Sequence, residues 1–126
     1  MAEPYILLVD DNPETLGFLS QALEAEGFQV RTAKSVFKAV EQLHDGSPGP
    51  ALIMTDLLMP GTTGWDLMKH IRDDATLRYT PVIIVTGAEP GEGATLADAV
   101  VQKPLDIDTL VATVRRLFPP PLATPL

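Results

Sequence analysis

The sequence has 126 residues, a formal net charge of −8 and an apolar content of 45%, and it contains no cysteine. This length is typical of one domain, and the lack of cysteine excludes disulfide scaffolds, thiolate metal centres and cysteine nucleophiles. No apolar run approaches the roughly 18–20 residues that span a bilayer, and the first residues lack the form of a secretory signal. The acidic charge argues against sequence-independent binding to nucleic acid or anionic lipid. We therefore expect one acidic domain located in the cytoplasm.

Strand-like and helix-like segments alternate from the first residues onward. An apolar run at 5–9 precedes a helix predicted over 13–26, with Asn12 as its N-cap and Gly27 at its end. The second strand, 28–32, alternates apolar and polar side chains. A helix over 35–44 follows, and its predicted inward-facing residues are Val36, Phe37, Val40 and Leu43.

The second half of the chain continues the alternation. Its predicted elements are strands at 51–55, 81–85 and 99–102 and helices at 64–73 and 106–117. Residues 87–93 contain three glycines and one proline, which break regular structure. We therefore expect the fourth helix, between the fourth and fifth strands, to be shortened or replaced by a loop. A domain is predicted over 1–118, and the proline-rich residues 119–126 are predicted to be a tail or the start of a linker.

Five strand–helix repeats predict an α/β fold with a single doubly wound parallel sheet and helices on both faces. The first, third and fourth strands are continuously apolar, as expected when both faces of a strand are covered. The alternating second strand suits an edge of the sheet. Right-handed crossovers then favour the strand order 2-1-3-4-5.

Polar residues stand where four of the predicted strands end: Asp10, Asp11, Asp56, Thr86 and Lys103. Ligands of open parallel sheets gather at the carboxyl ends of the strands. Any one of these residues has an ordinary structural alternative, such as capping the next helix. Together, however, three carboxylates suit Mg²⁺, and a lysine with a hydroxyl suits a phosphoryl group. The set predicts a metal-assisted phosphoryl site in which a carboxylate could be the nucleophile.

Four motifs around these residues resemble the receiver domain of two-component response regulators. They are Leu8-Val9-Asp10-Asp11-Asn12, Met54-Thr55-Asp56-Leu57-Leu58-Met59-Pro60-Gly61 with Gly64 three residues further on, Ile84-Val85-Thr86-Gly87 and Gln102-Lys103-Pro104. The resemblance covers about residues 5–118 and implies the flavodoxin-like fold. It also implies a signalling domain that catalyses only its own phosphorylation and dephosphorylation.

The resemblance implies a role for each site residue. Asp56 would accept a phosphoryl group from a histidine kinase or a histidine phosphotransfer protein. The implied Mg²⁺ ligands are Asp10, Asp11, Asp56 and the backbone carbonyl of Leu58. Lys103 would pair with the phosphoryl oxygens, and the Thr86 hydroxyl would move to bond them. A downstream target protein or a fused output domain would then read the change of conformation.

Departures from the family pattern keep a second interpretation open. Val100 stands where many receivers have a switching aromatic, and the fourth helix is expected to be short. The chain could therefore instead be a degenerate receiver that acts as a constitutive protein-interaction module. A haloacid-dehalogenase-like phosphatase is disfavoured, because it would need an aspartate where Leu58 stands. His44 and His70 are expected to be surface residues on helices and not phosphohistidines. Whether the domain acts alone or as a module of a longer protein is left open.

Overall fold

The structure is a computed structural model that describes residues 4–46, 48–59, 62–87 and 96–118. Strands and helices alternate in it as predicted. The strands are β1 Tyr5–Val9, β2 Gln29–Ala33, β3 Leu52–Asp56, β4 Leu58–Met59, β5 Thr62–Thr63, β6 Val82–Thr86 and β7 Ala99–Gln102. The helices are α1 Pro13–Ala25, α2 Val36–Leu43, α3 Gly64–Asp73 and α4 Ile107–Leu117.

Five of the strands form one parallel sheet in the order β2-β1-β3-β6-β7. Because β6 and β7 are the fourth and fifth strands of this sheet, the predicted order 2-1-3-4-5 and the α/β class are confirmed. The short strands β4 and β5 pair with each other in antiparallel fashion, Leu58 opposite Thr63 and Met59 opposite Thr62. The sequence predicted only a loop there, since two-residue strands are too short to show a periodicity.

The sheet is covered on both faces, which explains its continuously apolar central strands. One core cluster joins the sheet to α2 and α3, and the other joins it to α1 and α4. Successive side chains of β1 pack on opposite faces of the sheet: Leu7 belongs to the first cluster, and Ile6 and Leu8 belong to the second. The strands are thereby fixed in register, and the positions of the side chains that follow them are fixed as well.

One predicted core residue is wrong. Phe37 is 69% exposed, whereas Ala39, which was not among the predicted inward-facing residues, is fully buried. At about 100° per residue, Phe37 lies about a third of a turn away from the centre of the face that carries Val36, Ala39 and Leu43. The size of the aromatic ring suggested a core position that its angle on the helix does not allow.

Two predictions concern residues outside the described ranges. Residues 88–95 include most of the segment expected to hold a shortened fourth helix or a loop, and residues 119–126 are the predicted tail. Both predictions, and the domain boundary at residue 118, stay predictions.

Arg72, a half-buried residue of α3, hydrogen-bonds to the backbone near the point where β6 begins. Its guanidinium donates hydrogen bonds of 2.8–3.3 Å to the carbonyls of Arg78, Thr80 and Leu96 and to the carboxylate of Asp98. The same carboxylate accepts the Val82 N–H at 2.8 Å. One cation therefore connects α3 with the segments that lead into β6 and β7.

Candidate functional site

The structure brings four of the predicted site residues together at the carboxyl edge of the sheet. One carboxylate oxygen from each of Asp10, Asp11 and Asp56 lies within 4.8 Å of the other two. The Lys103 ammonium lies 3.2 Å from Asp56 Oδ2 and 3.8 Å from Asp10 Oδ2. This is the grouping that the strand ends predicted, because the carboxyl ends of parallel strands share one edge.

Asp10 is the most buried of the three acids, with 3% of its surface exposed. Its Oδ1 accepts the Asn12 N–H at 2.9 Å, and its own N–H donates to the Ala33 carbonyl at 3.1 Å. Burial raises the pKa of Asp10 above its ordinary value, with the nearby Asp56 charge adding to the rise, while the Asn12 hydrogen bond and Lys103 oppose it. A cation among these carboxylates would favour the ionised form of Asp10.

The charges and donor atoms of this site fit a magnesium ion. Three carboxylates and one ammonium sum to a formal −3 + 1 = −2, which a divalent cation would neutralise. All three candidate ligands are oxygens, the donor type that Mg²⁺ prefers, and Asp11 is exposed to the water that Mg²⁺ usually retains. The residues that are present are therefore suited to the ion.

Thr86 and Lys103 are held next to each other by the sheet. Thr86 ends β6 opposite Gln102 of β7, and the Lys103 N–H donates to the Thr86 carbonyl at 2.9 Å. The Thr86 side chain is buried. The Lys103–Pro104 peptide bond is cis. Lys103 therefore reaches the carboxylates from a backbone position that is hydrogen-bonded to the end of the neighbouring strand.

Leu58, predicted to supply a backbone carbonyl, follows Asp56 by two residues. Its backbone pairs with Thr63 in the antiparallel β4–β5 pair. This pairing constrains the backbone two residues after Asp56. The role of this carbonyl stays a prediction.

Gly64, the first residue of α3, belongs to the second of the four motifs, but no role was predicted for it from the sequence. Its N–H donates to the Leu57 carbonyl at 2.7 Å. A Cβ at this position would overlap the Asp56 carbonyl oxygen and lie 3.0 Å from Leu57 Cα. The sequence feature that could have pointed to Gly64 is its position directly after Thr63, the N-cap of α3. Thr63 forms a capping box with Asp66. Gly64 lets the helix start against the backbone of Asp56.

The two histidines do not join this site. His44, at the end of α2, is exposed as predicted, and His70, on α3, is half-buried; their Nε2 atoms are only 2.9 Å apart. No pattern in the sequence indicates this contact, since it depends on how α2 and α3 pack. Neither histidine is part of the acidic cluster.

Comparison with known proteins agrees with the geometry. Residues 6–115 match the family model described as the response regulator receiver domain. The chain is 36% identical over 125 residues to the response regulator Rre1 of Synechocystis sp., an alignment that covers 94% of this chain and 53% of Rre1. The alignments to ORR6 of Oryza sativa and to PhoB of Escherichia coli likewise cover 51% of those proteins, so the chain spans about half the length of these three relatives.

Solved structures give the same result. The signal receiver domain of a signal transduction histidine kinase from Syntrophus aciditrophicus aligns with a TM-score of 0.82 at 30% identity, covering 92% of this chain and 90% of that one. The response regulator TrrA of Thermotoga maritima, crystallised with Mg²⁺ and BeF, aligns with a TM-score of 0.81 at 27% identity. That alignment covers 91% of this chain and 99% of TrrA. None of the helices in the described part of the chain has the length and apolar character needed to cross a membrane.

Proposed function

Because this chain belongs to the response regulator receiver domain family, whose role in two-component signalling is to accept a phosphoryl group, we propose that Asp56 is its acceptor residue. The observation that carries the proposal is the Lys103 ammonium, 3.2 Å from Asp56 Oδ2, at the edge of the acidic cluster. Asp56 is the acid of the cluster that ends a central strand, while Asp10 is more deeply buried and Asp11 is more exposed.

The proposed reaction is a phosphoryl transfer from nitrogen to oxygen. A carboxylate oxygen of Asp56 attacks the phosphorus of a phosphohistidine, a P–O bond forms, and the P–N bond breaks. The electron pair of the broken bond stays on the imidazole nitrogen, which then takes up a proton. The product is a mixed anhydride between a carboxylate and phosphate, in which the Asp56 carboxylate has become an acyl phosphate.

Lys103 and Thr86 are proposed to stabilise the phosphoryl oxygens. An ammonium already within reach of Asp56 is positioned for the negative charge that spreads over those oxygens in the transition state. Thr86 is the hydroxyl-bearing residue at the end of the neighbouring strand β6, and we propose that it bonds a phosphoryl oxygen after transfer. Such catalysis acts on the chain itself and turns over no separate substrate.

Receiver domains generally bind Mg²⁺ through acidic residues, and we propose that here Asp10, Asp11, Asp56 and the Leu58 carbonyl hold it. The ion would supply the positive charge that lets an anionic donor approach three carboxylates. Asp11 is the candidate that is best exposed for direct ligation.

Response regulators interact with histidine kinases and with output domains. For this chain we propose a histidine kinase or a histidine phosphotransfer protein as the donor, and a separate target protein or a fused output domain as the reader. The net charge of −8 supports a reader that is a protein and not nucleic acid bound directly. The lack of cysteine is compatible with a cytoplasmic location, which we include in the proposal.

Intact-mass spectrometry tests the acceptor assignment. The chain is incubated with Mg²⁺ and a small acyl phosphate donor, beside the Asp56→Asn variant and a sample without metal. We expect one phosphoryl adduct on the unchanged chain and none in either control. An adduct that persists in Asp56→Asn would assign the acceptor elsewhere.

Val100 favours the alternative of a degenerate receiver. Its side chain packs against the α2–α3 core cluster and has no ring that could move between a buried and an exposed position. A constitutive interaction module would bind Mg²⁺ yet form no adduct with either a small donor or a phosphorylated kinase. It would also bind its partner equally well with and without Asp56→Asn.

A further inference from the structure

A second group of metal-ligating side chains lies outside the acidic cluster, where α2 and α3 end. His44 Nε2 lies 2.9 Å from His70 Nε2 and 3.8 Å from Asp74 Oδ2. One ligand atom of each of the three residues lies within 4.8 Å of the other two. Two imidazole nitrogens and one carboxylate oxygen therefore converge on one point of the surface.

The fold brings these residues together in two ways. His70 and Asp74 are four residues apart, the spacing that puts two side chains on the same face of a helix, and Asp74 is the C-cap of α3. His44 is the C-cap of α2, so the cluster receives its third member from the neighbouring helix. Leu43 and Ile71, next to the two histidines in sequence, belong to the same buried core cluster. Packing of α2 against α3 thus holds the histidines in contact.

Asp74 is oriented by a residue behind it. Its Oδ1 accepts hydrogen bonds from the N–H and the hydroxyl of Thr76, at 2.8 and 2.7 Å, while its Oδ2 faces His44. These hydrogen bonds lower the pKa of Asp74 below its ordinary value. Outer partners of this kind orient the ligands of metal sites in proteins.

We propose that His44, His70 and Asp74 form a binding site for a divalent transition-metal ion of the zinc type. A tetrahedral zinc ion, with ligands at about 2.0–2.1 Å, holds its donor atoms roughly 3.3 Å apart. The observed separations of 2.9 and 3.8 Å lie on either side of that value. Three protein ligands leave one position for water or an external ligand.

The donor types separate this site from the acidic cluster. Imidazole nitrogens select Zn²⁺, Cu²⁺ or Ni²⁺, whereas an all-oxygen set selects Mg²⁺. The two sites are also distant, because the ten-residue helix α3 begins against Asp56 and ends next to Asp74, about 15 Å along its axis. The His44 side chain is 47% exposed, which gives the ion a route from solvent.

Titration of Zn²⁺ into the whole chain, purified without a histidine tag and kept in millimolar Mg²⁺, tests the site. We expect one Zn²⁺ per chain by calorimetry, with the NMR signals of both imidazoles shifting in the same step. His44 and His70 are the only histidines of the chain, so those signals report on this cluster alone. His44→Gln, His70→Gln and Asp74→Asn should each weaken Zn²⁺ binding at least about tenfold.

Asp11→Asn is the matched control, since it alters the acidic cluster and should leave Zn²⁺ binding unchanged. Zn²⁺ binding that is lost in Asp11→Asn and kept in the histidine variants would overturn the proposal. Imidazole signals that do not move at saturating Zn²⁺ would also overturn the proposal. The two histidines would then be joined only by a hydrogen bond. Circular dichroism without metal verifies that each variant is folded. No step measures phosphoryl transfer, so the outcome is independent of the proposed acceptor.

Discussion

Gly64→Ala tests whether the start of α3 positions the acceptor. The added methyl group would meet the Asp56 carbonyl oxygen, and backbone, unlike the end of a flexible side chain, cannot move aside at small cost. Overpacking of this kind costs about 1–3 kcal/mol. The higher helix propensity of alanine offsets at most about 1 kcal/mol of this cost. Because the overlap is with backbone, we take the upper part of that range, about 2–3 kcal/mol, and expect the free energy of unfolding to fall by roughly 1–2 kcal/mol.

The matched control is Gly17→Ala, in the middle of α1. A Cβ at Gly17 has no heavy atom within 4 Å, so only the propensity gain remains. This variant should be more stable than the unchanged chain by about 0.5–1 kcal/mol. The same substitution thus has opposite signs at two helical glycines, and the difference between them, about 2 kcal/mol, is well within the resolution of urea denaturation.

The assay combines urea denaturation with the rate of phosphoryl-adduct formation. Displacement of the Asp56 backbone should slow phosphorylation of Gly64→Ala about tenfold, since small misplacements of reacting groups are costly. Gly17→Ala should react at the unchanged rate. If Gly64→Ala gains stability as Gly17→Ala does, or reacts at the unchanged rate, the close contact between α3 and Asp56 has no such role.

Three further predictions concern single side chains. Lys103→Met removes the ammonium 3.2 Å from Asp56 and should slow adduct formation about 100-fold, measured by time-resolved intact mass. Arg72→Met leaves three backbone carbonyls and one carboxylate without this donor, and should lower the free energy of unfolding by about 1–3 kcal/mol in urea. Asn12→Ala removes the acceptor of the Glu14 and Thr15 N–H groups. It should lower the free energy of unfolding by about 1 kcal/mol, measured by thermal unfolding.

Each of these variants has a control in the chain. Lys69→Met removes an exposed lysine of α3 and should leave the phosphorylation rate unchanged. Arg115→Met breaks an ion pair with Glu26 whose side chains are 53% and 44% exposed, and should cost less than about 1 kcal/mol. Asn12→Gly should cost only a few tenths of a kcal/mol. Equal effects in a variant and its control would contradict the corresponding prediction.

Much of the fold and of the acidic cluster could be predicted because both depend on local patterns. Central strands that are buried on both faces read as apolar runs, and Asn12 followed by Pro13 is a typical helix start, which the structure confirms. Once the strands were assigned as parallel, their carboxyl ends had to share an edge. The grouping of Asp10, Asp56 and Lys103 followed from topology alone.

What could not be predicted depends on tertiary contacts. The close approach of Gly64 to Asp56 requires knowing where α3 starts relative to β3. The contact between His44 and His70 requires knowing how two helices cross, although each residue separately was expected on the surface. The prediction that Phe37 faces the core failed for a local reason, because it gave more weight to the hydrophobicity of the side chain than to its angle on the helix.

The edge strand β2 affects how this domain behaves at high concentration. An exposed edge strand offers unpaired backbone groups to which another chain can add a strand. Here Gln29, Arg31 and Thr32 are exposed along β2, and the Arg31 guanidinium lies 4.2 Å above the centre of the Tyr5 ring. A charged side chain held at the edge opposes the docking of a second strand. We therefore expect Arg31 to oppose aggregation through this edge of the sheet.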